Sequence, residues 1–227
     1  SLLIYIKDKQ HHFLKNVLRI KINDKIIVFD GKTGEWEAAV ISVNRDNIVL
    51  RVIKLNKKIK KSNDIWLIFS PIKQSRMSIA IQKATELGVS KIIPCFTEFT
   101  NLKKINLKSI KDNSIEAAEQ CGRTDLPIIE QQTSINELLL NWPEDRKIIF
   151  CDEKIENDKS VLETLYPYKN ALNKSSLFIG PEGGFSNSER EILKKNKNVI
   201  TVSLGQNVLR SDTAITVALF SIQQLLF

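Results

Sequence analysis

From residue 64 onward, short apolar runs alternate along the chain with longer amphipathic stretches. The runs at 65–69, 91–95, 148–151, 177–179 and 199–202 predict strands. The stretches at 76–87, 114–121, 160–165, 188–195 and 212–225 repeat apolar residues at helical spacing, with Gly88 as a stop signal. This alternation predicts an α/β domain, a parallel sheet covered by helices. Residues 1–62 follow a different pattern. Strand-like runs at 25–29, 36–43 and 47–55 surround the turn-like Arg45-Asp46-Asn47 and the glycine-bearing Asp30-Gly31 and Thr33-Gly34, which predicts a small β-barrel. The lysine-rich stretch at 57–63 reads equally well as a linker or as a solvated turn. The expected division is therefore 1–62 and 63–227. In the last helix, Ala214, Val217, Ala218, Ser221, Ile222 and Leu225 form a stripe that a core face and a dimer face explain equally well.

Charge separates the two regions further. The 227 residues carry 34 Lys and Arg against 26 Asp and Glu, a net charge of +8. Residues 1–62 hold 14 basic and 6 acidic side chains, and the remainder hold 20 of each. A surplus confined to the first quarter of the chain marks that segment as the contact for a polyanion, RNA first among them. No apolar run approaches the roughly 20 residues of a spanning helix, and the run from Leu2 to Ile6 is too short for a signal-peptide core. Cys95, Cys121 and Cys151 are odd in number and far apart, as expected in a reducing cytoplasm, and no metal-ligand spacing is present.

The chemistry-bearing segment is Ile179-Gly180-Pro181-Glu182-Gly183-Gly184-Phe185. It follows a strand-like run and precedes a capping signature, Ser186 with Glu189 three residues on. A phosphate-binding loop needs Lys and Ser or Thr directly after its last glycine, and a dinucleotide loop needs G-x-G-x-x-G spacing. Neither fits. Glycines at this turn would let a ligand approach bare backbone. About twenty positions later stands Leu204-Gly205-Gln206-Asn207-Val208-Leu209-Arg210-Ser211-Asp212-Thr213-Ala214. Both segments would fall at the carboxyl ends of strands, where open α/β sheets gather ligands.

Together these segments resemble the SPOUT class of RNA methyltransferases, and within it the ribosomal RNA small subunit methyltransferase E family. The resemblance extends to His12-Phe13-Leu14-Lys15-Asn16-Val17-Leu18-Arg19, to RMSIAIQKATELG from Arg76 to Gly88, and to Glu119-Gln120-Cys121-Gly122-Arg123 followed by Pro127. Two positions depart from the family pattern. The first cation is Lys7, where the family carries basic residues earlier, and Asp212 stands where the family more often has Glu.

The resemblance implies a PUA-like N-terminal barrel that binds RNA and a C-terminal domain with a trefoil knot, the site of dimerisation into a homodimer. It implies S-adenosyl-L-methionine as cofactor, held by Cys151, Ile179, Gly180, Glu182, Gly183, Gly184, Leu204, Gly205, Val208 and Leu209. It implies 16S rRNA as partner, met by His12, Lys15, Arg19, Arg76 and Gln120, and methylation at N3 of a uridine. That nitrogen carries a proton and lies on the pairing edge, so the base must be unpaired or flipped and must lose the proton. Arg210, Thr213 and Arg123 are the candidate catalytic residues, as charge stabilisers or proton relays. Arg210 also has a structural reading, paired with Asp212 or the helix terminus. Two other functions remain open at this point: a related methyltransferase acting on another rRNA or tRNA nucleotide, and a non-catalytic RNA-binding assembly factor.

Overall fold

A computed structural model describes residues 2–155 and 159–226. The chain divides into two compact units, Ser1–Lys61 and Ser62–Phe227. In the first, β1 (Leu3–Ile6), β2 (Lys25–Phe29), β3 (Gly34–Val43) and β4 (Ile48–Lys58) form an antiparallel sheet in the order β1-β4-β3-β2. A short helix, α1 (Asp8–His12), runs into a π-helical turn at Phe13–Val17. The Asn47 carbonyl accepts from the Asn44 N–H at 2.8 Å, closing the β3–β4 turn. Ala38, Val40, Ile48 and Leu50 form the buried centre of this unit, with Ile4, Leu14, Ile26 and Val28 packed around them. Register shifts interrupt the β3–β4 ladder at three places, and each irregularity bends the strands. Among the described residues no pairing joins β1 to β2, so strand pairing alone makes an open sheet rather than a closed barrel.

The second unit contains β5 (Asp64–Phe69), α2 (Gln74–Glu86), β6 (Lys91–Phe96), α3 (Leu107–Cys121), β7 (Ile128–Ile129), β8 (Thr133–Ser134), α4 (Ile135–Leu140) and β9 (Lys147–Cys151). It continues through α5 (Val161–Leu165), β10 (Lys174–Ile179), α6 (Asn187–Lys195), β11 (Val199–Val202) and α7 (Ser211–Gln224). The strands pair in parallel in the order β11-β9-β10-β5-β6-β7, with β8 also on β6. At the centre Leu177 of β10 stands opposite Leu67 of β5 and Ile149 of β9. Leu67, Ile149 and Leu177 join one buried cluster with Ala80, Ile81, Ala218 and Leu219. Their neighbours Ile68, Phe150 and Phe178 join another with Phe185 and Leu193 on the opposite face. Burial on both faces is why these strands read as continuous apolar runs, and each such side chain contributes about 1.5–3 kcal/mol on leaving water.

Local signals place several helix ends. Ser186 and Glu189 form a reciprocal capping box, with Glu189 N–H donating to Ser186 Oγ at 3.3 Å and Ser186 N–H to the Glu189 carboxylate at 2.9 Å. Gly88 adopts φ 75° just beyond α2, as its role as a stop signal requires. Helix α3 begins at Leu107 rather than at 114, because Asn106 caps it by accepting from the Ser109 N–H at 3.1 Å. The apolar stripe of α7 divides. Ala214, Ala218 and Ile222 are buried in the core, whereas Val217 and Phe220 are exposed. Among the described residues no helix is long and apolar enough to cross a membrane.

Candidate functional site

The loops after β9, β10 and β11, three adjacent strands, converge at the carboxyl end of the sheet. They enclose a cleft of about 260 Å³. Cys151, Ile179, Gly180, Glu182, Gly183, Gly184, Leu204, Gly205, Val208 and Leu209 all line it, joined by Asp152, Glu153, Asn207, Arg210 and Ala214. Parallel order creates this convergence, since each of the three strands ends on the same edge.

The glycines of the β10 loop serve packing as well as the cleft. A Cβ on Gly180 would meet the Phe185 ring at 2.5 Å, and one on Gly183 would meet Phe99 Cβ at 3.0 Å. Packing against two aromatic side chains therefore requires glycine at both positions, and both positions also line the cleft. Gly205 differs, with φ 120° and no atom within 4 Å of where a Cβ would stand, so its backbone faces open space.

A buried ionic strut holds this architecture. Arg190 of α6 donates from Nε to Asp152 Oδ1 at 2.9 Å and from Nη2 to Glu153 Oε1 at 2.7 Å, and its Nη1 bonds the Phe185 carbonyl. One guanidinium thus ties the β9 loop to the β10 loop. Ser211 Oγ adds a bond to the Gly180 carbonyl at 3.0 Å, fixing the start of α7 to the same loop. In the sequence Arg190 looks like an ordinary exposed helix charge, and only the fold buries it. Burial, and then the negative charge of Asp152, push the Cys151 thiol up, so it lines the cleft as a neutral group.

Arg210 is exposed immediately before α7 and makes no ion pair with Asp212 among the described residues. The pairing with Asp212 is therefore not formed, while Arg210 does stand at the helix terminus, where its carbonyl accepts from the Ala214 N–H at 2.8 Å. Asp212 lies in the first turn of α7, where the helix dipole favours an anion, and its Oδ1 is buried without a hydrogen-bond partner. Thr213 is exposed and does not line the cleft.

Arg123 is a correction. Its guanidinium donates to the carbonyls of Thr85 and Val89 at 2.8 Å each and pairs with Asp125 at 2.7 Å. These partners lie at the amino end of the strands, opposite the cleft, so Arg123 is consumed as a tie within the fold. Gln120 is exposed on α3 and lines neither this cleft nor its neighbour. Arg76 lies 3.8 Å from Glu182 and lines a second pocket beside the first. His12 and Arg19 are exposed in the first unit, and Lys15 Nζ donates to the Asn44 carbonyl at 2.9 Å.

Comparison with known proteins follows this division. An RNA methyltransferase domain model matches residues 60–223, and an RNA methyltransferase PUA domain model matches residues 6–53. Ribosomal RNA small subunit methyltransferase E of Rickettsia conorii is 33% identical, with 96% of this chain and 88% of that protein covered. The protein of the same name from Buchnera aphidicola subsp. Schizaphis graminum is 31% identical, covering 93% and 86%. The crystal structure of ribosomal RNA small subunit methyltransferase E from Neisseria gonorrhoeae, bound to S-adenosyl methionine, has a TM-score of 0.84 at 27% identity, over 99% of this chain and 92% of that one. On motifs, fold and near full-length similarity, the chain belongs to the ribosomal RNA small subunit methyltransferase E family.

Proposed function

We propose that this protein methylates N3 of a uridine in the 16S rRNA of the small ribosomal subunit, with S-adenosyl-L-methionine as donor. The observation that carries this reading is the convergence of the three loops on one cleft. Its lining fits the donor chemically: Ile179, Leu204, Val208, Leu209 and Ala214 offer apolar surface for an adenine, and Glu153 and Glu182 offer carboxylates to a cationic ligand. The donor, when bound, supplies an electrophilic methyl group. Arg210, exposed at the cleft and unpaired with Asp212, stabilises the negative charge that develops on the base. In this reading the same three loops form the trefoil knot.

The first unit docks the RNA, because the whole net charge of the protein lies in residues 1–62. The exposed Val217 and Phe220 of α7 belong to the interface of a homodimer, and the protein works in the cytoplasm. Calorimetric titration of the full chain with donor, followed by primer extension across the rRNA product, tests the proposal. Donor binding is expected, with a new stop at one uridine, since a methyl at N3 blocks the pairing edge. RNA affinity should fall by roughly 10³ or more between 50 and 200 mM salt if six or more phosphates are contacted. A folded protein that gives no heat with donor refutes the proposal.

A further inference from the structure

The second unit is neutral as a whole, with 20 basic and 20 acidic side chains in residues 63–227, yet its charges are unevenly placed. No acid occurs from residue 65 to 85, a stretch that includes Lys73 and Arg76, or from 99 to 111, which includes Lys103, Lys104 and Lys108. The fold brings these two stretches together. Asn101 and Leu102, after β6, line the same cavity as Lys73 and Arg76 at the start of α2. Further along, Gln74 Nε2 donates to Ser109 Oγ at 3.0 Å, which holds the start of α3 against the start of α2. The segment between these two ties carries the three lysines. Lys104 is two residues beyond Leu102, so its Cα stands within about 8 Å of that of Leu102 in the cavity wall.

The fold leaves these cations unspent. Among the described residues Lys73, Lys103 and Lys104 are exposed and make no ion pair. Arg76 stands 3.8 Å from Glu182 and Lys108 3.5 Å from Asp112, and pairs that solvent reaches are weak enough to exchange for another anion. The first turns of α2 and α3 contain no acid. At the amino edge of the sheet the pattern is reversed, where Lys91 pairs with Glu130 and Lys174 with Asp145, each at 2.7 Å. Exposed Ser75 and Asn101 stand among the five cations and add hydrogen-bond donors of the kinds that meet phosphate oxygens. Glu182 lines both this cavity and the donor cleft, so the positive patch begins at the rim of the cleft. Cations spread over two exposed segments suit a run of phosphates better than one small anion, which would need a closed cradle.

We propose that Lys73, Lys103, Lys104 and Lys108 form a second polyanion contact, on the methyltransferase unit itself, that holds the ribosomal RNA backbone phosphates flanking the target nucleotide. This rests on the methyltransferase reading above and extends it, since that reading assigns docking to the first unit. Phosphate contacts fix register without reading sequence. The first unit supplies bulk affinity, and this patch sets which stretch of the strand lies at the cleft. A strand whose base enters the cleft brings its neighbouring phosphates to the rim, where the fold has kept acids away.

The test measures binding of unmethylated 16S rRNA by the full chain as a function of salt. Each phosphate contact contributes about 0.7–0.9 to the slope of log affinity against log salt. The triple variant Lys73→Gln, Lys103→Gln, Lys104→Gln should therefore lower the slope by about 2–3 and the affinity near 0.1 M salt by roughly 10². Replacing the same three lysines by Arg should restore the wild-type slope. Melting temperature and donor affinity should match the wild type in both variants. The control removes equal charge from the amino edge through Lys174→Gln, Lys195→Gln and Lys197→Gln, all exposed, and should change the slope by less than about 1. An unchanged slope in the first triple, an equal fall in the control, or absence of rRNA binding by the wild type overturns the inference. A wild type that binds rRNA but no donor refutes the methyltransferase reading instead, while the same slopes still decide the patch.

Discussion

At the amino ends of the parallel strands charged side chains are consumed by the fold, whereas at the carboxyl ends several are left available. Arg146, before β9, donates to the carbonyls of Asp64 and Ser175 at 2.8 and 3.0 Å, pairs with the Asp64 carboxylate and stacks on Trp66 at 3.6 Å. Arg123 ties the end of α2 to the start of β6 through two carbonyls and Asp125, whose carboxylate also accepts from the Ser62 N–H at 2.9 Å. At the other end Gln206, Asn207 and Arg210 are exposed, Val208 is 77% exposed, and Asp212 Oδ1 is buried without a hydrogen bond, although the fastened end also leaves Arg146 Nε unpartnered. Unspent polar groups cost stability where they sit. The comparison teaches that a sheet can fasten one edge tightly and leave the other edge's loops with groups free for ligands.

The largest expected effect lies at the fastened end. Arg123→Ala strips the charge partner from a mostly buried Asp125 and leaves two carbonyls unpaired. Breaking such a pair costs about 3–5 kcal/mol. For a protein of this size that lowers Tm on the order of 10 °C. Below the transition, donor affinity should stay within about twofold of wild type. Thermal melts paired with calorimetry decide it, and an unchanged Tm with collapsed donor binding would return Arg123 to the active site. Next comes Arg210→Ala at the open end. Single-turnover methylation should fall by about 10² to 10³, some 2.7–4 kcal/mol of transition-state stabilisation. Its melting curve should overlay that of the wild type. A large drop in Tm with little change in rate would make Arg210 a fastening residue and dissolve the contrast.

Acid sharpens the comparison with the smallest effect. Burial by itself would raise the pKa of Asp125, but hydrogen bonds and charge from Arg123, with bonds from Ser62, outweigh it and hold the carboxyl below its ordinary value of 3.8. A depressed folded value means the stabilisation is present above the unfolded value and lost as pH falls through the folded one. Melts at pH 5 and pH 3 should therefore show a steeper decline for wild type than for Asp125→Asn. Equal declines in the two proteins would show that the amino-end pair carries no linkage.

How much of this was legible beforehand depends on how local each signal is. The parallel sheet announced itself because Ile68, Phe150 and Phe178 alternate with Leu67, Ile149 and Leu177, all apolar, as burial on two faces demands. The capping pair of Ser186 and Glu189 was equally plain. Ser134 and Glu137 form the same box at α4, which the apolar pattern alone passed over. The first turns of α3 were hidden by Lys108, Lys111 and Asp112, whose polar side chains face solvent around a single buried Ile110. The motif around Arg123 points to chemistry, yet a motif does not say which end of a strand its loop occupies.

By itself the sequence determined the two-part organisation, the all-parallel sheet, the concentration of positive charge in the first part, and the loop residues that line the cleft. These follow from periodicity, composition and short motifs, which are properties of neighbouring residues. Only the tertiary structure decided that Arg190 is a buried strut, that Arg123 serves the opposite edge, that Gly180 and Gly183 are small for the sake of Phe185 and Phe99, and that Glu182 divides two pockets. Each of these depends on which strands become neighbours. Strand order is set by packing between residues far apart in the chain, and no local pattern encodes it.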